Sequence, residues 1–458
     1  MFSLTMPAAL IATLGYSIGA LGAWSAAFLW GVSMLIATAT NWVYSELAGM
    51  FPAKSGGISL FANEGWRRHL TLVGPVATFG YWFAWTSSLA VYGEIIGSLV
   101  ETRWYPDNGL SVDAGLFTFG LTDLIAAAAV VAVFAANLVG IRTTVRLAYV
   151  TAAMLMVPLV VLLVGPFLTG DWSASRLSWH LGDAGQTWGG WKLAIVWLYL
   201  MLWTSLGVET CATFAPEYRR PVRDTSLALR VAALVSLGVF IVLPISITGL
   251  TGEQPALDDP VGFYITAFDR IDGGITDVMV AFVVGSLMLV MLTSMADGSR
   301  ALYGIADERL TLRQLRHLNG FGVPSRCLMI DLLTNLCLIF LLGNLLAILA
   351  AGNLGYVLSH ILTLVAFVLL RRDRPGLARP VRVHNAFVPI ALTLAVLLSV
   401  VLVVGAGGFE ITGYGGTREI VIACAILAIS MVLYIVRRVI QDREPLRLRD
   451  ISDVPAGE

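Results

Sequence analysis

The chain of 458 residues is 57% hydrophobic and only 13% charged, with a mean hydropathy of +0.81, a mix that no water-soluble fold can bury. Its formal net charge of −1 supplies no global basic field, which excludes nucleic acid as a partner. Cys211, Cys327, Cys337 and Cys424 sit in or beside apolar stretches without paired spacing, so they read as small hydrophobes and not as a disulfide framework or a zinc site.

A bilayer core about 30 Å thick takes about 20 apolar residues as a helix. Runs of that kind begin near Met1, Ala26, Val76, Leu121, Leu147, Lys192, Val231, Asp277, Cys327, Leu346, Ala386 and Ile420, and twelve transmembrane helices are expected. Helix is the required conformation because lipid offers no partner to backbone amides, and the runs are too long and too unalternating for barrel strands. The ninth and tenth runs lie close enough to form one long bent helix instead. The longest polar loops on one side are 105–120 and 171–190, and 438–458 reads as a short solvated tail. Met1 to Leu10 holds no basic residue, so it is read as the start of a membrane span and not as a signal peptide.

Orientation follows from the basic residues. Alternate loops on one side collect 24 of the 29 Lys and Arg residues, leaving Arg103, Arg176, Lys192, Arg270 and Arg418 on the other. The rule that basic loops stay inside then places both termini in the cytoplasm of a multi-pass protein of the cell (inner) membrane.

Polar and glycine-rich interruptions of apolar helices carry the functional information, because backbone unwound within a membrane is tolerated only where it lines a cavity or site. In the sixth span, LWTSLGVETCATFAPEYRRPVRDTSLAL from Leu202 to Leu229, Thr204, Ser205 and Gly207 cluster ahead of Glu209. A break there offers free carbonyls and amides to a substrate; alternatively, the small residues only let helices pack closely.

Three segments in order resemble the amino acid–polyamine–organocation superfamily of permeases. They are YSELAGMFPAKSGG at 44–57, the sixth-span segment with its GVE, AP-E and RRPVRD, and SRALYGIADERLTLRQLRHLNGFGVP at 299–324, with further likeness in LLRRDRPGLARP at 369–380. The resemblance implies an all-α membrane protein of the leucine-transporter type. Residues 1–168 and 192–370 would be two inverted five-helix repeats, followed by two peripheral helices at 386–437. It also implies a mid-membrane substrate site between broken first and sixth helices, as inverted-repeat transporters of this type have. The first helix of such proteins has a glycine-rich break ahead of a proline, yet Pro7 follows Met1 closely and Gly22 and Ala23 stand where the family has Gly-Pro. Most of the first half-helix is therefore expected to lie upstream of Met1, through an under-called start or a truncated chain.

By the same resemblance, the first helix holds a substrate carboxylate, and backbone carbonyls near Trp203, Thr204, Ser205, Leu206 and Gly207 hold its amine. LWTSLGVET is also similar to arginine–agmatine antiporters, in which the residue matching Trp203 stacks on substrate and the one matching Glu209 takes part in proton-dependent gating. Burial of a carboxylate at that depth suits a proton carrier; a hydrogen-bonded brace for the broken helix is the plainer reading. Trp82, Trp85 and Ser88 share a helical face that, with Tyr81 and Tyr92, fits a substrate path or an interfacial belt. Thr293 and Ser294 match sodium ligands of related transporters, so the coupling ion is a proton with sodium as the alternative. The fifth span, with Leu155, offers no lysine to replace that ion.

Glu94 lies near enough to one surface to be solvated, His360 reads as a hydrogen bond to a neighbouring helix, and Asp297 should pair with Arg300 three residues on. With no metal-ligand cluster, phosphate loop or nucleophile elbow, no enzymatic activity is expected. The expected activity is secondary active transport of amino acids or related amines by alternating access. An exchanger, or a degenerate permease acting as a sensor or subunit, is the alternative. Lipid and substrate are the expected partners, and nothing in the chain fixes an oligomeric state.

Overall fold

Apolar runs of 18 to 32 residues can satisfy their backbones in lipid only as helices, and helices they are. The computed structural model describes residues 9–113, 115, 118–182, 190–342, 345–412 and 416–451, with the backbone alone at 141–148 and 151. The expected start of the first span, including Pro7, lies outside the described residues. In chain order come a 3-10 turn (Leu10–Ala12), α1 (Leu14–Leu21), α2 (Ala23–Met50), α3 (Gly57–Trp66), α4 (Val73–Trp104), α5 (Leu121–Leu138) and α6 (Ile141–Leu168). Then follow α7 (Trp191–Ser205), α8 (Pro221–Thr251), α9 (Gln254–Asp258), α10 (Phe263–Asp272), α11 (Thr276–Asp307), α12 (Ser325–Leu342), α13 (Leu345–Asp373), α14 (Phe387–Ala406), α15 (Phe409–Thr412) and α16 (Thr417–Ile435). The polar loop before α5 carries a two-stranded antiparallel hairpin, β1 (Ser111–Asp113) with β2 (Thr118–Gly120).

Among the described residues, ten helices are long and apolar enough to cross a membrane. The two remaining expected spans correspond to α1, of 8 residues, and to α6, whose described apolar part is Ala152–Leu168. The ninth and tenth runs are two helices, α12 and α13, not one bent one. Spans five apart in the chain meet: α2 packs on α8, α4 on α11 and α5 on α12. Burial ranks the helices, since α4 buries 83% of its most apolar window whereas α14 and α16 each bury 28%. Hence α4 runs through the centre and the last two long helices lie at the edge.

Gly22, at φ 75°, ψ 155°, turns the chain between α1 and α2 in a conformation that glycine adopts without strain. The first amides of α2 would be orphaned there, but Glu253 reaches across from the loop after α8 and accepts from Ala23 N at 2.8 Å and Ser178 N at 2.8 Å. A carboxylate at a helix N-terminus also complements the helix dipole.

The crossing of α4 and α13 rests on an absent side chain. A Cβ on Gly355 would lie 2.6 Å from Gly80 Cα, and Ser359 Oγ donates to Ala77 O at 2.6 Å, so two backbones touch as small residues in membranes allow. We expect Gly355→Val to separate these central helices and lower stability by about 1–3 kcal/mol, read as a reduced melting temperature in detergent. An unchanged melting temperature would show that the contact is slack.

The segments that carry the family resemblance interlock on the basic face. Glu46, fully buried, accepts from Arg371 Nη2 at 2.6 Å, Arg371 Nε at 3.0 Å and Val383 N at 2.9 Å, with Arg379 Nε at 3.4 Å. Glu64 accepts from Arg374 at 2.8 Å and pairs with Lys54 at 3.6 Å. Glu308, which accepts from Asn63 at 2.9 Å, has its carboxyl pushed up to about 7 by burial, against the pull of Lys54. One expectation needs correction here. Arg300 turns away from Asp297 and bonds Glu217 Oε1 at 2.8 Å, because Glu217 sits at the half-exposed rim and leaves the arginine hydrated, whereas Asp297 is fully buried. The tail, largely exposed in its described part, is also tied to the body: Thr71 N donates to Leu448 O at 2.9 Å, Asp450 N to Arg67 O at 2.8 Å, and Arg437 Nε to Asp442 Oδ2 at 2.7 Å.

Candidate functional site

α7 does not end in the ordinary way. After Ser205 the chain continues as a seven-residue 3-10 run, Leu206–Ala212, every residue of it buried. Runs of this tightness rarely exceed three or four residues, and inside a helix they mark hinges or strained sequence. The local cause is visible in the residues. Gly207 and the β-branched Val208 and Thr210 weaken the α-helix, and Thr210 Oγ1 bonds back to Gly207 O at 2.6 Å.

A small cavity walled by buried residues lies against this junction, lined by Ala9, Ala84, Trp85, Ser88, Tyr92, Trp203, Thr204, Gly207 and Tyr356. The centre of a water-sized sphere can move through about 10 Å³ of it, room for about one water, so a larger guest requires the aromatic walls to shift. Of the residues expected at a substrate site, Trp203, Thr204, Gly207, Trp85 and Ser88 come together here. Ser205 and Leu206 do not line it. The Ser205 hydroxyl instead joins Ser33 at 2.7 Å, tying the junction to α2. Tyr92 tilts against Trp203 at 5.7 Å between ring centroids, and Trp85 meets Tyr356 edge-on at 6.2 Å.

Glu209 lies behind that aromatic wall, fully buried. Tyr356 donates its hydroxyl to Glu209 Oε1 at 2.5 Å, and Trp85 stands beside the carboxylate. Glu209 Oε2 and Trp85 Nε1 are buried without hydrogen-bond partners among the described residues. The ring of Tyr356 also contacts His360 edge-on at 4.7 Å, and His360 Nδ1 meets Tyr44 Oη at 2.8 Å, a bond between helices as its sequence position suggested.

Trp82 departs from the expected substrate face. Its indole donates to Asp331 Oδ1 of α12 at 2.6 Å, because a buried N–H must find an acceptor and this carboxylate is the one it meets. Glu94 is not among the cavity residues and stands beside Asp123. Thr293 Oγ1 bonds to Val290 O at 2.9 Å and Leu289 O at 3.1 Å within its own helix, while Ser294 Oγ is buried without a partner among the described residues. Neither lines the cavity. Sequence reasoning missed Tyr356 and Asp331. For Tyr356 a signal existed, since it lies one helical turn before His360 in GNLGYVLSH; Asp331, a lone carboxylate in an apolar span, was itself the signal.

A bundle of long apolar helices around a broken sixth span and a buried aromatic cavity defines a multi-pass membrane protein of the permease class. The chain belongs to the amino acid permease family, whose model matches residues 1–432, within the amino acid–polyamine–organocation superfamily. It is 23% identical over 334 residues to the amino-acid permease RocE of Bacillus subtilis (strain 168), a match covering 69% of this chain and 66% of that relative's length.

Proposed function

We propose that this protein is a secondary transporter of amino acids or related amines, working by alternating access across the cell membrane with its basic face in the cytoplasm. The observation that carries the reading is the convergence of Trp203, Thr204, Gly207, Trp85 and Ser88 on one buried cavity at the junction of α7 with its 3-10 run. In this reading, backbone groups freed at the junction bind the substrate amine and Trp203 closes the site on the side away from the basic face. Glu209 holds the coupling proton. Its carboxylate is buried, accepts from the hydroxyl of Tyr356, stands beside Trp85 at the cavity wall, and has no cationic partner among the described residues. A charge left unneutralised in a membrane interior costs several kcal/mol. Protonation removes that cost, so occupancy of Glu209 by a proton biases which conformation of the junction is stable.

The test is uptake of a panel of radiolabelled amino acids and amines into proteoliposomes, with an imposed proton gradient, a sodium gradient or neither. Accumulation driven by the proton gradient, and lost in Glu209→Gln, is the expected result; glutamine keeps an oxygen for the Tyr356 hydroxyl but cannot carry the proton. Uptake that needs internal substrate and ignores both gradients would make the protein an exchanger. A sodium requirement would move the coupling to Thr293 and Ser294. Reconstituted protein that moves no substrate would sink the transporter reading in favour of a sensor or subunit.

A further inference from the structure

A second buried carboxylate stands next to this machinery without a role in it. Asp297, on α11, is fully buried. Tyr81 of α4 donates its hydroxyl to Asp297 Oδ2 at 2.6 Å and also meets Thr213 Oγ1 at 3.2 Å. Thr213 directly follows the 3-10 run that carries Glu209. The rings of Tyr81 and Tyr356 are 6.1 Å apart, so the two carboxylates are held by two tyrosines in mutual contact. Each keeps one oxygen, Glu209 Oε2 and Asp297 Oδ1, buried and without a hydrogen-bond partner among the described residues.

The charges around Asp297 do not neutralise it. From α4 it faces Tyr81, from the 3-10 run Glu209, from the following loop Tyr218, from α12 Asp331 and from α13 Tyr356. The nearby cation is Arg300 of its own helix, whose guanidinium is bonded to Glu217 and to Ala296 O. Two like charges sharing one low-dielectric interior repel, and both lose hydration. The pair is therefore most stable with a proton on one member.

Position gives the pair a direction. Glu209 borders the cavity wall, whereas Thr213, just past the 3-10 run, and Tyr81, in the first third of α4, lie toward the basic face. One helical turn beyond Asp297, Arg300 meets Glu217, which is 36% exposed at the basic rim. We propose that Asp297 is a second proton-binding carboxylate that shares one proton with Glu209 and receives it on the basic-face side of the site. The proton leaves the Glu209 carboxyl and is taken up on Asp297, leaving Glu209 ionised; its release to water beside Arg300 and Glu217 returns Asp297 to the carboxylate, so charge and atoms balance without a further reactant.

This inference rests on the proton-coupled reading of Glu209, and the experiment separates the two. In proteoliposomes carrying an internal pH-sensitive dye, substrate addition to the wild-type protein should acidify the lumen as protons enter with substrate. Asp297→Asn should keep substrate-for-substrate exchange and lose both the acidification and gradient-driven accumulation. Tyr81→Phe, which removes only the hydroxyl that holds Asp297, should slow acidification while leaving exchange intact, and it carries the test if Asp297→Asn does not assemble. Wild-type acidification in either assembled variant would overturn the proposal. A wild-type protein that moves substrate without moving protons would overturn the reading of Glu209 itself, a different and recognisable outcome.

Discussion

Glu46→Ala is expected to cost about 3–5 kcal/mol of stability, the usual penalty for removing one partner of a buried ion pair. Glu46 is fully buried and is the shared acceptor for Arg371, Arg379 and Val383 N. Its loss takes the carboxylate from two guanidinium groups that are themselves only 11% and 9% exposed and leaves them to neutral acceptors such as Val383 O and Leu370 O, and it frees the segment after α13 from the end of α2. Arg371 also stacks over Phe367 at 4.6 Å, so the arginine cannot swing into water without giving up that contact as well. The measurement is the apparent melting temperature of purified protein in detergent, alongside the yield of folded protein. A double variant, Glu46→Leu with Arg371→Met, should recover part of the loss, since apolar residues of similar volume often replace a buried pair at little cost. If Glu46→Ala melts with the wild type, the cluster on the basic face contributes nothing to stability.

The sequence made the helices legible for a physical reason: a bilayer fixes both the length and the hydropathy of whatever crosses it. It also made the sixth-span break legible, because Gly207, Thr204, Ser205 and Glu209 are costly residues at mid-depth unless they serve something. Pairings between distant spans were not legible. Asp297 and Arg300 share a helix face, and local spacing joined them, but burial decided otherwise: Arg300 reaches the rim and Glu217, leaving Asp297 to Tyr81 of α4. Trp82 and Trp85, three residues apart, were grouped for the same reason and then divided, one by an acceptor on α12 and the other by the cavity. Tyr356 shows the converse. It closes the cavity and bonds Glu209 across 147 residues of chain, a separation no periodicity records. Glu46 stood in a recognisable segment, yet its partners lay in another, and only the folded chain joins them.

Trp203→Ala should have the largest effect on substrate affinity. Trp203 occupies the last turn of α7, two residues before the end of the regular helix, and is only 6% exposed. Its ring lies against Tyr92 on one side and lines the cavity on the other. Because that cavity has room for about one water, binding an amino acid or amine requires an aromatic wall to move, and Trp203 is attached to the segment best able to move it. A desolvated ammonium over an indole face is stabilised by about 2 kcal/mol, so truncation should raise the apparent KM about thirtyfold. Removing a buried tryptophan also costs about 3–5 kcal/mol of stability, which by itself would lower the amount of active protein and not the KM. Trp203→Phe separates the two effects, since it keeps an aromatic face at the same place while shortening the side chain: it should recover most of the affinity even where some stability is lost. A Trp203→Ala protein with wild-type KM would remove Trp203 from the substrate site and leave it as packing against Tyr92.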